Sequence, residues 1–265
     1  MYKVIRTTED VIDTFIRIVF IIILLLGAYF IYDSWYVYQN ANDTSMLRFK
    51  PESPEDIEKL KDLSGDVVGW ITLDDTNIDY PIMQGETNDA YLNTDPYGDF
   101  ALSGSIFLDS RNKPDFTDKY SLIYGHHMEH DYMFGGLDHF LEKDYFDKHR
   151  TGTLYTVAGD VYDFHVFSAA EAQTNVDALF AVNEVEGAAE WIEQHAYIFD
   201  KPSDEKWKEH IVGLSTCKTP DSIDRTLVFG YLTKKNQSTQ PEQLEKYEKE
   251  NLTSGGNTDE RTENG

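Results

Sequence analysis

The sequence predicts a mainly β domain with peripheral helices, set behind one N-terminal membrane helix. Three observations lead there. Short apolar or alternating runs split by Asp, Asn, Gly and Pro recur from Val67 to Leu232, which is the pattern of strands joined by turns. Few stretches keep helical spacing. Residues Ile18 to Tyr32, "IVFIIILLLGAYFIY", carry no charge in a chain whose formal net charge is -25.

The uncharged run spans roughly 22 Å as a helix, short of the ~30 Å hydrocarbon core unless Arg17 snorkels and Trp35, Tyr36 and Tyr38 form an interfacial belt. A cleaved signal peptide is the competing reading, but no small-x-small site follows and bulky aromatics continue the run. Lys3, Arg6 and Arg17 precede it, so the positive-inside rule puts residues 1–17 in the cytoplasm, the span at 18–38 and the rest outside the cell. Residues 39–65 read as a stalk and an N-terminal helix. Ser53 and Asp56 mark its start, and Ile57, Leu60 and Leu63 share one face.

The domain proper is expected at 66–235. Its strand candidates are "VVGWITL", "IDYPIMQ", "GSIFLD" and "YSLIYGH", then "GTLYTVAGDVYDFHVFSAAEA", in which "AGD" closes a hairpin. A helix is expected from Val185 to Ala196 within "NEVEGAAEWIEQHAYIF", although Gly187 weakens its first turn. Two further strands, "HIVGLSTC" and "RTLVFGYL", flank the loop "KTPDSID". The segment after Lys235 lacks apolar periodicity and reads as a disordered acidic tail, 236–265. The strong negative charge excludes a phosphate-backbone partner, since such affinity comes from Lys and Arg.

The chain has one cysteine, Cys217. Exported proteins use cysteines mostly in pairs, so an unpaired one is either a small buried hydrophobe or a working thiol. Cys217 ends a strand and opens a polar loop, a position where a side chain reaches solvent while the sheet holds its backbone. A working thiol needs a cation or base to favour the thiolate. Arg225 opens the next strand, and antiparallel pairing would bring it beside Cys217, where it could steady a thiolate or an oxyanion. A surface ion pair with Asp224 or Asp221 is the plain alternative. Acyl transfer also needs a proton donor for the leaving amine, and His126 occupies the same strand-end position after "YSLIYG". His126, His127, His130 and His139 also invite a zinc reading, but they match no metal-binding spacing. His149, His165, His195 and His210 are isolated, and no metal or other cofactor is expected.

With His126 after "YG", Cys217 after "LST" and Arg225 at a strand start, the chain resembles the sortases, cysteine transpeptidases of Gram-positive cell surfaces. The resemblance runs from about Asp66 to Leu232. It is closest to class B, through "IDYPIMQGETNDAYLNTD", "GSIFLD", "YGHHMEHDYMFGGL" and "LSTC". It implies a closed eight-stranded sortase-type β-barrel with N-terminal helices and a longer helix before the cysteine strand. It implies Cys217 as nucleophile, His126 as general acid and base, Arg225 as oxyanion or substrate-orienting cation, and His127 as a bystander. Asn88, Leu92, Tyr124, Ser215 and Thr216 match the family's substrate groove.

The implied partners are exported proteins or pilins bearing a C-terminal sorting signal, of the NPQTN kind for class B, and an amine acceptor from a cell-wall precursor or a pilin lysine. Two other readings stay open. Water could resolve the thioester, making a cysteine peptidase or wall amidase, or the chain could be a non-catalytic extracellular binding module with an inert thiol.

Overall fold

The computed structural model describes residues 2–41, 44–182, 187–217 and 222–235. The residues up to Thr233 form one compact unit. Helix α1 (Tyr2–Ala41) is 40 residues long, roughly 60 Å at 1.5 Å per residue. It runs well beyond the uncharged core in both directions, so Arg17 and the aromatic residues Trp35, Tyr36 and Tyr38 lie on the same helix as that core. It is long and apolar enough to cross a membrane. Its Leu24, Leu25 and Phe30 side chains are exposed rather than packed on protein.

Residues 44–62 form two 3-10 helices, Thr44–Phe49 and Pro54–Asp62. The second replaces the α-helix expected from Ser53, whose side chain makes no capping bond. Its apolar face is the expected one, with Ile57, Leu60 and Leu63 all buried.

Among the described residues nine strands follow: β1 (Val67–Leu73), β2 (Asp79–Met83), β3 (Ile106–Leu108), β4 (Tyr120–Gly125), β5 (Thr151–Thr156), β6 (Val161–Gln173), β7 (Ile198–Phe199), β8 (Ile211–Cys217) and β9 (Asp224–Lys234). They pair in the order β5-β1-β2-β3-β4-β8-β9-β6-β7, and β5 also pairs with β6. That last pairing closes eight strands into a barrel and leaves β7 as an appendage on β6. The sheet is mixed, because β2 runs parallel to β3 and β4 parallel to β8. The expected hairpin is present. Gly159 takes a left-handed φ of 98° and donates to the Thr156 carbonyl at 3.0 Å, turning β5 into β6.

Short helices connect the strands: α2 (Lys143–Phe146), α3 (Asp177–Phe180) and α4 (Ala188–His195), with 3-10 segments at Gly135–Leu141 and Glu205–Glu209. Helix α4 is shorter than expected. Val185 lies outside the described residues, Ala196 is already extended at the helix end, and Ile198–Phe199 joins the sheet as β7. The apolar residues of "YIF" fit a strand as well as a helical turn, and pairing with Ser168 and Ala169 decides between them. The predicted tail at 236–265 lies outside the described residues.

Alternation along the strands sorts the core into an inside and two outer patches. Ile71, Ile82, Ile106, Ile123, Phe164, Leu214 and Val228 share the interior, plugged by Phe134, Leu137, Phe140 and Phe146 from the segment after β4. On the outer surface, Leu122, Phe167 and Phe229 are covered by Leu179, Ile192 and Trp207. Trp70, Met83 and Phe107 are covered by Ile57, Leu60 and Tyr91. Tyr124, on β4, packs against both outer patches and marks the seam between them.

Candidate active site

A groove of about 280 Å³ opens at that seam. Its floor is Tyr124 on β4 and Ser215 on β8, residues directly opposite each other in the parallel register. Asn88, Asp89 and Leu92 form one wall, Thr174 and Phe180 the other, and His126 and Arg225 stand among the lining residues.

Strand register brings the predicted reactive residues to one end of the sheet. In the parallel β4–β8 pair Gly125 is level with Thr216, so the next residues, His126 and Cys217, fall level on neighbouring strands. In the antiparallel β8–β9 pair Cys217 is the direct partner of Arg225. Three adjacent strands thus deliver His126, Cys217 and Arg225 to the same rim, about 5 Å apart strand to strand. For Cys217 the structure describes the backbone, and the loop at 218–221 lies outside the described residues.

His126 has its ring held. Its Nε2 is 2.7 Å from the Leu92 carbonyl oxygen. A carbonyl only accepts, so Nε2 carries the hydrogen and donates it, which leaves Nδ1 as the nitrogen free to exchange a proton. The Leu92 carbonyl is itself pressed close to Gly104, where φ is 59° and an added Cβ would meet that oxygen at 2.5 Å. Arg225 is held from the other side. Its Nη1 donates to the carbonyls of Ser222 (2.7 Å) and Asp224 (3.1 Å). The Asp224 carboxylate is instead occupied by Gln173 and Ser222, so the surface ion pair considered from sequence does not form with Asp224. Asp221 lies outside the described residues.

Thr216 sits differently from its neighbour. It is buried, pairs with Thr226, and is absent from the groove lining, whereas Ser215 contributes to the floor. His127 bonds the Asp138 carboxylate at 3.0 Å, and the other oxygen of Asp138 accepts from Thr226 at 2.6 Å. His139 bonds Asp131 at 2.9 Å. The histidines after β4 therefore have separate partners, and among the described residues no group of three His, Cys, Asp or Glu gathers around a common point.

A family model described as the sortase domain matches residues 71–233. The chain belongs to the sortase family. Its relatives put this sortase in class B. The Listeria monocytogenes serovar 1/2a protein named Sortase B is 32% identical over 199 residues, covering 73% of this chain and 80% of the relative. Among solved structures, a Streptococcus pyogenes class B sortase involved in pilus biogenesis matches at TM-score 0.60 and 35% identity, over 66% of this chain and 97% of that one. A Staphylococcus aureus sortase B–substrate complex matches at TM-score 0.60 and 26% identity, over 75% and 94%. The closed eight-stranded barrel expected from sequence is the fold these sortases share.

The groove of this sortase also uses residues the sequence did not single out. Asp109, directly after β3, is fully buried. It accepts from Arg111 Nε (2.8 Å) and Nη2 (2.7 Å), from Asn88 Nδ2 (2.9 Å) and from the Tyr124 hydroxyl (3.0 Å). Burial alone would raise its carboxyl, but hydrogen bonds from Arg111 and Asn88 outweigh that and hold it below the usual range. Burial, then the Asp109 charge, pushes the Tyr124 phenol far above its ordinary value, so it remains a neutral donor. The available signal was "IFLDSR", a carboxylate straight after an apolar strand with an arginine two residues on.

Proposed function

We propose that this sortase is a membrane-anchored cysteine transpeptidase with Cys217 as nucleophile, His126 as general acid and base, and Arg225 as the cation that orients the acyl donor. The observation that carries the reading is the register of three neighbouring strands, with Cys217 opposite Arg225 and level with His126. The held ring of His126 and the carbonyl-anchored guanidinium of Arg225 support it.

In this reading the Cys217 thiolate attacks the carbonyl carbon of a threonine in the sorting signal of an exported protein. Arg225 receives the negative oxygen of the tetrahedral intermediate, while the Thr216 backbone faces the β9 ladder and takes no part in the step. The C–N bond then breaks, and Nδ1–H of His126 protonates the departing amine, leaving a thioester. An incoming amine attacks that thioester and gives its proton back to His126. The C–S bond breaks, an amide forms and the thiolate is restored. Asn88, Leu92, Tyr124 and Ser215 line the groove in which the donor peptide lies. A cell-wall precursor and a pilin lysine both supply a suitable amine, and the acyl donor is a signal of the NPQTN kind.

The anchor belongs to the same proposal. Residues 18–38 span the membrane, 1–17 stay in the cytoplasm, and the catalytic domain at 66–235 works outside the cell, joined through 39–65. Product analysis of the full chain in detergent, with an NPQTN-containing peptide and with or without an added amine, tests the reaction. A ligated product that requires both the amine and Cys217 is expected. Hydrolysis alone would point to a peptidase, and no turnover with an inert thiol to a binding module.

A further inference from the structure

Asp109 is a fully buried carboxylate to which the proposed chemistry assigns no step. It nevertheless holds the groove together. Its side chain binds Asn88 and Tyr124 directly, and its partner Arg111 passes on to α3 by donating from Nη2 to the Phe180 carbonyl at 2.7 Å. Asn88, Tyr124 and Phe180 come from three separate segments, and all three line the groove. One ion pair therefore ties both walls and the floor.

The same bonds fix the polarity of the wall. A carboxylate can only accept, so Asn88 turns Nδ2 toward Asp109, while its Oδ1 takes the Ser110 N–H at 2.7 Å. Both bonds demand the same amide orientation, which removes the usual freedom to flip. One Asn88 amide hydrogen is left over. Tyr124 must likewise donate to Asp109, so its oxygen keeps acceptor capacity. Stability alone is a poor reason for such a pair, since apolar replacements of buried ion pairs are often neutral or stabilising.

We propose that the Asp109–Arg111 pair is a positioning unit for the acyl-donor peptide: it presets the donors and acceptors of the groove wall and holds α3 against the groove. It acts on peptide capture and leaves the sulfur chemistry to the rim. The identity of the ligand as a sorting-signal peptide rests on the transpeptidase reading.

Arg111 is half-exposed, so Arg111→Met in the full chain in detergent is the informative variant, with Asp109→Asn as a second. For an NPQTN-containing peptide with an amine acceptor, Arg111→Met is expected to raise KM about tenfold and change kcat less than about twofold. The rate at which a small thiol reagent labels Cys217 should stay unchanged, and amide hydrogen exchange should quicken across 177–180. Asp109→Asn should raise KM in the same direction. Unchanged KM, unchanged exchange at α3, or a loss of kcat and labelling at constant KM would each overturn the proposal. A wild-type chain that makes no amine-dependent product would overturn the transpeptidase reading instead, and the exchange comparison would still decide whether Arg111 holds α3.

Discussion

The hydrogen bonds at Asp109 give the most direct predictions at the scale of single residues. Tyr124→Phe removes one neutral donor and is expected to cost about 1 kcal/mol, whereas Asp109→Ala leaves Asn88 and Tyr124 without their acceptor and should cost about 2–3 kcal/mol, both measured by urea unfolding. The carboxyl is depressed in the folded state, so its contribution is present above its unfolded value near 3.8 and is lost as pH falls below it. Melting temperature against pH should therefore show wild type ahead of Asp109→Asn at pH 6, with the gap closing below about pH 4. A gap that persists into strong acid would contradict this. Cys217 and Arg225 were legible as candidates because the chain has one cysteine and each sits at a strand end. Asp109 was not. Among 48 acidic residues the local signal "IFLDSR" is too weak to mark the one that folding will bury, because its partners Asn88 and Tyr124 lie 21 and 15 residues away.

Segments set the position of the histidine. Gly104 lets the Leu92 carbonyl sit where it receives His126, so Gly104→Ala adds a clash with that oxygen and a strained positive φ together. We expect a loss of about tenfold or more in kcat, since small displacements of a catalytic group are costly. A folded Gly104→Ala variant with wild-type kcat would show that the bond is dispensable. Leu60 is the buried centre of the 3-10 helix at Pro54–Asp62, and Leu60→Ala should cost about 2–5 kcal/mol in urea unfolding. The apolar faces of such segments were readable from spacing, as Ile57, Leu60 and Leu63 illustrate. Helix type was not. Over nine residues a 3-10 and an α-helix present similar faces, and packing on Trp70 and Met83 makes the choice. The β7 strand was not read from the sequence for a related reason, because two apolar residues carry no period of their own.

Across the whole molecule, closure rests on the pairing of β5 with both β1 and β6, which joins residues 67–73 to 151–173. Alternation made the individual strands readable. Their order was not written in that pattern, since the parallel β4–β8 pairing joins segments about 90 residues apart; the eight-stranded barrel came from the resemblance. The exposed apolar surface of α1 leads to one further expectation. The full chain should stay with membranes through alkaline carbonate extraction and lose only its short N-terminal segment to protease added from the cytoplasmic side, while release into the soluble fraction would favour a cleaved leader.

In the proposed reaction Cys217 carries the acyl group between two amines. Intact-mass spectrometry of the full chain, incubated with an NPQTN-containing peptide and then chased with an amine, reads that step directly. A covalent adduct on Cys217 that the amine removes as ligated product is expected. No adduct on wild type, or one that forms equally on Cys217→Ala, would contradict it.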